Sequence, residues 1–374
     1  MQAIQKIAEE CVSCELCRKE CAFLRKNGSP GEISTNFLAG PATEFAMVFH
    51  CNLCGLCQAV CPKKLDCSAA FLLMRETVQS TSGSRHNGDS ALQGHRTICR
   101  YEALGTSSLL SLHLLPDCCD TIFFPGCTLT ATRSSVTRAT YEHLRTITPT
   151  MGIVLDCCTK PSHDLGLNEK FHTSFTHLIN KLQDRGIKKI VTACPSCYIT
   201  FKEHAPQFDT LTVYQVLAEN PPPLHRACAL KISIHDTCTA RFSPEIQDSV
   251  RTLASYAGAD IAEMPHSRSR AICCGEGAGA AGIAPEITAG WCGIREQEAR
   301  GRRIVTYCAG CSTSLAGKVA GSHILDLLFA PEQTLHHKEK TAKPPFTYIN
   351  RFLLKKQLQR SINLARNQLP NPQS

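Results

Sequence analysis

The chain has 374 residues, of which 43% are hydrophobic, so it is long enough for two or three domains that each bury a core. Its formal net charge of +8 is modest and dispersed, which argues against a nucleic-acid partner. No run of about 18 apolar residues occurs, and no charged region followed by an apolar one opens the chain. We therefore expect neither a membrane-spanning helix nor a signal peptide, and we predict a cytoplasmic protein.

Cysteine is the residue type that stands out, with 24 copies. In a reducing compartment, cysteines repeated at C-x-x-C spacing indicate metal ligands rather than disulfides. The first two motifs both read C-x-x-C-x-x-C-x-x-x-C, the spacing of bacterial ferredoxins that carry cubane [4Fe–4S] clusters. In that arrangement three cysteines wrap one cluster and the fourth leads to the other. We therefore predict one cluster on Cys11, Cys14, Cys17 and Cys61, and a second on Cys51, Cys54, Cys57 and Cys21.

The alternative for these cysteines is a pair of zinc knuckles in an interaction scaffold, and the lack of histidine inside the motifs argues against it. Around the motifs, apolar spacing predicts helices over 43–50 and 67–78. Residues 1–78 would thus form a helical ferredoxin-type domain with two clusters. A polar stretch rich in Gly and Ser follows, so we interpret 79–116 as a linker with connecting helices.

The remainder of the chain repeats one cysteine pattern twice: a lone cysteine, an adjacent pair and a C-x-x-C. In each copy a predicted strand, at 121–124 and at 230–234, runs into the lone cysteine. Alternating strands and helices predict two α/β domains with mainly parallel sheets, at 117–226 and 227–330, and hence an α+β multidomain protein. Ligands gather at the carboxyl ends of parallel strands, where the lone cysteines would lie. The first set is Cys127, Cys157, Cys158, Cys194 and Cys197, and the second set is Cys238, Cys273, Cys274, Cys308 and Cys311.

The order Cys…Cys-Cys-Gly…Cys-x-x-Cys resembles the cysteine-rich CCG domain of heterodisulfide reductase catalytic subunits and their relatives. Two cubane motifs followed by two complete CCG domains is the arrangement of the HdrD subunit of heterodisulfide reductase. The resemblance implies that each five-cysteine set holds a non-cubane [4Fe–4S] cluster and that these clusters are catalytic. The first copy reads Thr159 after its cysteine pair, where the motif has Gly, so we expect one or two such clusters in the chain.

The resemblance also implies a function. Electrons would enter at the cubane clusters and reach the CCG clusters, where a disulfide or another two-electron acceptor is reduced. The alternative is an electron-transfer subunit that links a flavin dehydrogenase, of the glycerol-3-phosphate or lactate/glycolate type, to the quinone pool. Both interpretations predict an electron-donor or flavoprotein partner, with a membrane cytochrome or quinone-reactive subunit as a further partner. By position, His235, Asp236 and His163 are candidate proton donors, although each is more often a structural hydrogen-bonding residue.

Gly277–Gly282 matches the G-x-G-x-x-G dinucleotide fingerprint, yet it follows a cysteine pair and no apolar strand precedes it. We therefore predict neither NAD nor flavin in this chain, and we interpret these glycines as a close approach of the backbone to a cluster. Other cysteines are predicted not to be ligands: Cys67, Cys99, Cys118, Cys119, Cys228 and Cys292.

The C-terminal segment 331–374 contains a basic helix with Leu354, Leu358, Ile362 and Ala365 on one side. One interpretation is that this apolar side packs on the body of the protein. The other is that the helix docks to a membrane subunit or to an anionic bilayer, which would make the protein peripheral on the cytoplasmic face.

Overall fold

A computed structural model describes residues 1–82, 99–316, 321–336 and 341–367. It has a helical N-terminal region followed by two sheets of mostly parallel strands that are flanked by helices. In the N-terminal region the α-helices are Gln2–Glu10, Leu16–Glu20, Ala22–Asn27, Pro30–Ala39, Leu56–Val60 and Cys67–Ser82. The domain limits at 78, 116, 226 and 330 stay predictions.

The segment before Cys51 differs from the predicted helix over 43–50. It consists of two short 3-10 helices, Ala42–Glu44 and Ala46–His50, and the α-helix of this region is Pro30–Ala39 instead. Ser29 caps that helix, because its side chain accepts from the Glu32 amide while the Glu32 carboxylate accepts from the Ser29 amide. The predicted helix over 67–78 is confirmed, and it extends to Ser82.

The first sheet has strand order β1-β3-β2-β4-β5. Its strands are β1 Leu112–Leu114, β2 Thr121–Phe124, β3 Gly152–Leu155, β4 Lys189–Thr192 and β5 Asp209–Thr212. All neighbours are parallel except β1, which pairs antiparallel with β3. β1 corrects the prediction of connecting helices over 79–116, since the described residues of that stretch contain only the end of the helix Cys67–Ser82 and a helix at 99–106. The leucines of β1 can then complete the sheet edge beside the apolar strand β3.

The second sheet repeats this order with parallel strands only, as β7-β6-β8-β9. Its strands are β6 Lys231–His235, β7 Asp260–Ile261, β8 Arg303–Thr306 and β9 Gly321–His323. The order matches β3-β2-β4-β5 of the first sheet, which is the structural counterpart of the repeated cysteine pattern. The rest of the predicted linker, 83–98, lies outside the described residues.

Helices surround both sheets. In the first copy they are Cys127–Thr132, Ser134–Ile147, Lys160–Asp164, Asn168–Asp184, Pro195–His204 and Val213–Glu219. In the second copy they are Pro244–Tyr256, Pro285–Ala299, Ala309–Leu315, Ile324–Phe329 and Pro331–Leu335, with 3-10 helices Cys238–Ala240, Arg268–Arg270 and Gly277–Gly282. A final helix is Phe346–Asn367.

A buried ion pair joins the two copies. The Arg133 Nε of the first copy lies 3.0 and 2.9 Å from the two carboxylate oxygens of Asp326 in the second. Arg133 also donates to the Ser312 hydroxyl at 2.7 Å. One hydrophobic core contains residues of both copies, so the two sheets form one body with a shared interface.

The C-terminal helix packs on the first copy and on 99–106. Leu354 and Leu358 are buried, Asn350 donates to the Ala131 carbonyl at 3.0 Å, and Arg351 donates to the Gly105 carbonyl at 2.9 Å. These contacts favour packing on the body for this part of the helix, whereas the side chains of Ile362 and Ala365 lie outside the described residues. None of the helices in the described residues is long and apolar enough to cross a membrane.

His323 gives the fold a dependence on pH. Its buried imidazole accepts a hydrogen bond through Nδ1 from the Leu325 amide at 3.2 Å, and burial, with Arg133 nearby, holds its pKa well below the ordinary value of 6.5. The neutral ring therefore stabilises the fold fully above about pH 6.5, and this contribution falls by about 1.4 kcal/mol per pH unit below it.

Replacing His323 by Asn keeps a helix-capping acceptor that does not titrate. We expect the melting temperature of His323→Asn to fall less than that of the unmodified chain between about pH 7.5 and 5.5. Thermal melts at both values measure this, and an equal fall in the two proteins would contradict the role given to His323.

Candidate metal centres

The two N-terminal motifs fold into the same loop. Ser13 and Leu53 both have φ 46°, and Glu15 and Gly55 follow with φ 62° and 71°. Such left-handed residues turn the backbone sharply, which lets three cysteines of one loop face a common centre. Each loop leads into a short helix, Leu16–Glu20 or Leu56–Val60, whose last residue precedes the fourth cysteine of its motif.

The structure brings the cysteines together in the two predicted groups. A cavity is lined by Cys11, Cys14, Cys17 and Cys61, with Cys57 and Cys67 beside them. The thiols of Cys21, Cys51, Cys54 and Cys57 form the neighbouring group. In addition to burial, charge repulsion from Cys54 and Cys57 raises the pKa of Cys21 and of Cys51. The backbone also fits closely, because a Cβ on Gly31 would lie only 2.8 Å from the Cys11 Cβ.

Crowding of these thiols disfavours their ionisation in the absence of a cation. Burial, together with Cys57, Cys11 and Cys14, raises the pKa of Cys17 to about 12. Burial and Cys54 raise the pKa of Cys21 to about 12. Packed thiols of this kind favour a metal, since iron supplies the positive charge that thiolates need. The donor set therefore fits iron–sulfur clusters.

The first five-cysteine set lies at the carboxyl ends of β2, β3 and β4. The Cys197 and Cys158 sulfurs are 3.3 Å apart, and a hydrogen bond with Cys157 lowers the pKa of Cys127 to about 7. A Cβ on Gly126 would lie 3.3 Å from the Cys197 sulfur, so glycine allows the backbone to approach this site.

Thr159 stands where the CCG motif has Gly, and the backbone turn at this position is kept. Thr159 has φ 55°, and Gly275, at the same position of the second copy, has φ 94°. A left-handed conformation is costly for a β-branched residue, so the fold holds Thr159 in the conformation for which the motif uses Gly.

The second five-cysteine set is also assembled. Cys238 contacts Cys273, and Cys311 contacts both Cys274 and Cys308. Hydrogen bonds with Cys273 and Cys311 lower the pKa of Cys274 to about 6, which places Cys274 at the centre of the group.

His235 belongs to this second site. One of its ring nitrogens and the sulfurs of Cys274 and Cys311 all lie within 4.8 Å of one another. Burial lowers its pKa to about 3, with Arg295 as the next cause. Neither ring nitrogen has a hydrogen-bond partner in the part of the chain that the structure describes.

The other two proton-donor candidates are held by structural contacts. The Asp236 carboxylate accepts from Arg251 at 3.0 and 2.9 Å and from the Tyr307 hydroxyl at 3.2 Å. His163 Nδ1 lies 3.0 Å from the Asp164 carboxylate, and its ring packs edge-on against Phe171. Asp236 and His163 therefore match the structural interpretation.

The two five-cysteine sets meet across the interface between the copies. The Cys194 thiol of the first set interacts with the Cys308 thiol of the second. Glu276 is exposed as a residue, but its carboxyl lies beside this contact, since a Cβ on Gly310 would be 2.6 Å from its Oε2. Burial of the carboxyl among these groups, with repulsion from Cys127 and Cys194, raises the pKa of Glu276 to about 7. Sequence reasoning missed Glu276, although it stands directly after the Cys-Cys-Gly motif.

The second N-terminal group docks on the second five-cysteine set. Asn52 donates to the Gly275 carbonyl at 3.0 Å and accepts from the Trp291 indole at 3.1 Å. The Cys54 thiol also lies near two thiols of that set. In addition to burial, charge repulsion from Cys238 raises the pKa of Cys54, and repulsion from Cys54 raises the pKa of Cys273. These contacts place one ferredoxin-type group next to one CCG group.

Arg75 connects three regions of the fold through hydrogen bonds, and sequence reasoning also missed it. Its guanidinium is fully buried and donates to the carbonyls of Val48, Cys51, Asp164 and Ala278. Burial lowers its pKa to about 10, so it remains a cation at neutral pH. It provides positive charge beside the Cys51 group.

The cysteines predicted not to be ligands bond mostly to backbone. Cys119 donates to the Thr121 carbonyl at 3.2 Å, Cys228 to the Leu327 carbonyl at 3.6 Å, and Cys292 to the Cys274 carbonyl at 3.4 Å. Cys67 donates to the Leu65 carbonyl at 3.6 Å, and its thiol also contacts Cys57. Cys99 contacts Lys170, and Cys118 is exposed.

The glycine-rich segment Gly277–Gly282 is a kinked 3-10 helix that no strand directly precedes. A Cβ on Gly277 would lie 2.7 Å from the Asn52 carbonyl oxygen and 3.6 Å from the Cys273 sulfur. This close approach to a cysteine group matches the interpretation made from the sequence.

Comparison with protein families identifies these regions. Residues 7–65 match the 4Fe-4S dicluster domain, and residues 121–202 and 232–316 match the cysteine-rich domain. Both copies, including the one with Thr159, are thus matched.

Three of the similar proteins are described by their identity and by the share of each chain that is covered. An EtfAB:quinone oxidoreductase of Syntrophomonas wolfei is 24% identical over 33% of this chain and 18% of that protein. An uncharacterized iron–sulfur protein of Methanocaldococcus jannaschii is 22% identical over 74% of this chain and 60% of that protein. The HdrD subunit of the dihydromethanophenazine:CoB–CoM heterodisulfide reductase of Methanosarcina barkeri is 22% identical over 69% of this chain and 68% of that protein. The chain thus spans less than two thirds of the length of the first two.

The matched domains and the grouped thiols support binding of [4Fe–4S] clusters. Two of these relatives are named as an oxidoreductase or as a subunit of a reductase, and the third is named as an iron–sulfur protein. The chain belongs to the iron–sulfur proteins that join a 4Fe-4S dicluster domain to two cysteine-rich CCG domains, and it is homologous to the HdrD subunit of heterodisulfide reductase.

Proposed function

We propose that this chain reduces a disulfide, or a similar two-electron acceptor, with electrons that pass through two cubane clusters to two non-cubane clusters. The cubane clusters would be held by the two N-terminal groups, and the non-cubane clusters by the two five-cysteine sets. The observation that carries this proposal is the contact between Cys194 and Cys308, because it places the two sets on either side of one interface.

The order of the groups supports a path for electrons. Cys14 is exposed at the first N-terminal group, and Val12 and Leu16 beside it are 59% and 42% exposed. A donor or flavoprotein subunit could therefore dock there. The second N-terminal group adjoins the second five-cysteine set through Asn52, and that set adjoins the first. The groups thus follow one another from an exposed end to the interface.

The reaction needs both five-cysteine sets in the same place. Cleavage of R–S–S–R′ to two thiols consumes two electrons and two protons, whereas a cubane cluster delivers one electron at a time. Clusters at the two sets would supply one-electron storage on either side of the disulfide. The chain's own contribution is to hold these sets together through the buried pair of Arg133 and Asp326, with the carboxyl of Glu276 near Cys127 and Cys194 of the first set.

The second candidate is an electron-transfer subunit between a flavin dehydrogenase and the quinone pool. The similarity to an EtfAB:quinone oxidoreductase favours it. In that case the same groups would conduct electrons to a membrane cytochrome or quinone-reactive subunit, and the protein would be peripheral on the cytoplasmic face of the membrane.

The purified anaerobic chain separates these functions. We expect about sixteen irons per chain, four for each of four clusters, and disulfide-dependent oxidation of a reduced viologen dye. A scaffold that binds zinc would be colourless. If no disulfide is reduced, while a quinone analogue is reduced once a flavoprotein donor is added, the reductase proposal is wrong and the electron-transfer subunit is supported.

A further inference from the structure

His235 is the one histidine at the cysteine groups whose two ring nitrogens both lack a hydrogen-bond partner among the described residues. It is 0% exposed, so water does not satisfy these nitrogens. A buried polar atom without a partner costs about 1–3 kcal/mol, which makes an unpaired imidazole unusual in a stable core. The neighbouring groups that can explain the missing partner are sulfurs, because a ring nitrogen lies within 4.8 Å of the Cys274 and Cys311 sulfurs.

The first copy shows that the fold does not need a polar residue here. His235 ends β6 and stands three residues before Cys238, and Phe124 ends β2 and stands three residues before Cys127. Phe124 is fully buried and packs edge-on against Phe201, with ring centroids 5.1 Å apart. An apolar ring therefore serves the structural role at this position, and the imidazole of the second copy requires a different reason.

We propose that His235 donates an N–H hydrogen bond to a sulfur of the cluster held by the second five-cysteine set, and that it thereby raises the reduction potential of this cluster above that of the first set. The inference rests on the proposed function, since it needs a cluster in the second set. Reduction adds negative charge to the cluster sulfurs, and a hydrogen bond to sulfur stabilises the reduced form. Phe124 offers no such donor to the first set.

The consequence is that the two sets are unequal. The second set, which adjoins the Cys54 group, would receive the electron from the cubane clusters and retain it. The first set, beside Phe124, would be the harder one to reduce. His235 is thus a positioning residue that acts through the cluster and does not touch the acceptor.

The test compares three anaerobic preparations by potentiometric titration with electron paramagnetic resonance: the unmodified chain, His235→Phe and His235→Gln. In His235→Phe, which reproduces Phe124, we expect the midpoint of one non-cubane cluster to move to lower potential. Both cubane midpoints and the iron content should stay unchanged. In His235→Gln an amide N–H remains, so we expect a smaller shift in the same direction.

Two results would overturn the inference. The first is a set of midpoints in His235→Phe that all equal those of the unmodified chain. The second is loss of iron from one cluster, or a strong nitrogen coupling in pulsed spectra of unmodified chain labelled with ¹⁵N-histidine, since either would make His235 an iron ligand. If the unmodified chain has no non-cubane signal at all, the proposed function fails instead, and this is recognised before any variant is made.

Discussion

Cys274→Ser is expected to remove the cluster of the second five-cysteine set and to reduce disulfide-dependent activity to background. Cys274 contacts both Cys273 and Cys311, so its loss breaks the group at its centre. The N-terminal groups use other thiols, and their cubane signals should remain. Iron content should fall by about four per chain. Iron analysis and low-temperature electron paramagnetic resonance measure the first effect, and the viologen assay measures the second.

Cys292→Ser is the matched control. Cys292 is also buried, and its thiol donates to the Cys274 carbonyl at 3.4 Å, so the two cysteines share an environment. A serine hydroxyl can make the same hydrogen bond, and we expect iron content and activity to stay unchanged. Full activity in Cys274→Ser would refute the proposed role of the second set. Loss of iron in Cys292→Ser would show that the proposed ligand set is incomplete.

Arg75→Met is expected to destabilise the folded chain by about 3–5 kcal/mol. The substitution keeps the volume of the side chain roughly constant while it removes the donors for four backbone carbonyls. These carbonyls come from Val48, Cys51, Asp164 and Ala278, which belong to three regions of the fold. It also removes the cation beside the Cys51 group. The midpoint of unfolding in urea, followed by far-ultraviolet circular dichroism under anaerobic conditions, measures the effect.

Two further variants make the Arg75 test specific. Arg75→Lys keeps the charge and loses the planar fork of donors, so we expect it to recover only part of the stability. Arg138→Ala removes an exposed arginine that pairs with Glu142 at 3.4 Å, and its effect should stay within about 0.5 kcal/mol. A change of less than about 1 kcal/mol in Arg75→Met would contradict its role in joining the three regions.

The sequence predicts the parts of this protein that depend on short spacing. The C-x-x-C motifs specify which cysteines can face one centre, and the apolar runs before Cys127 and Cys238 predict β2 and β6 to within a residue. The helix Pro30–Ala39 could also have been predicted from the sequence, because Ser29 and Glu32 form a capping box at its start. The helix predicted over 43–50 was wrong because apolar content alone does not separate an α-helix from successive 3-10 turns.

The residues that connect the sites were not predictable in the same way. Asn52 is 223 residues away from Gly275, and the local sequence around Asn52 gives no sign of that contact. Arg75 resembles any arginine on a helix until its four carbonyl partners are in place. Glu276 comes near the thiols of Cys127 and Cys194 only when the two copies pack together. Tertiary packing determines the positions of these three residues, whereas the proposed ligands can be predicted from their spacing.

The bond between Asn52 and Trp291 has a consequence for how the protein is made. The N-terminal region emerges first from the ribosome, but its partner surface includes Trp291, in the helix Pro285–Ala299 of the second copy. Contacts of such long sequence separation form late, so this region must wait until the helix that carries Trp291 has been made before it can dock. Trp291 is the single tryptophan of the chain, and its fluorescence would therefore report this last step of maturation directly.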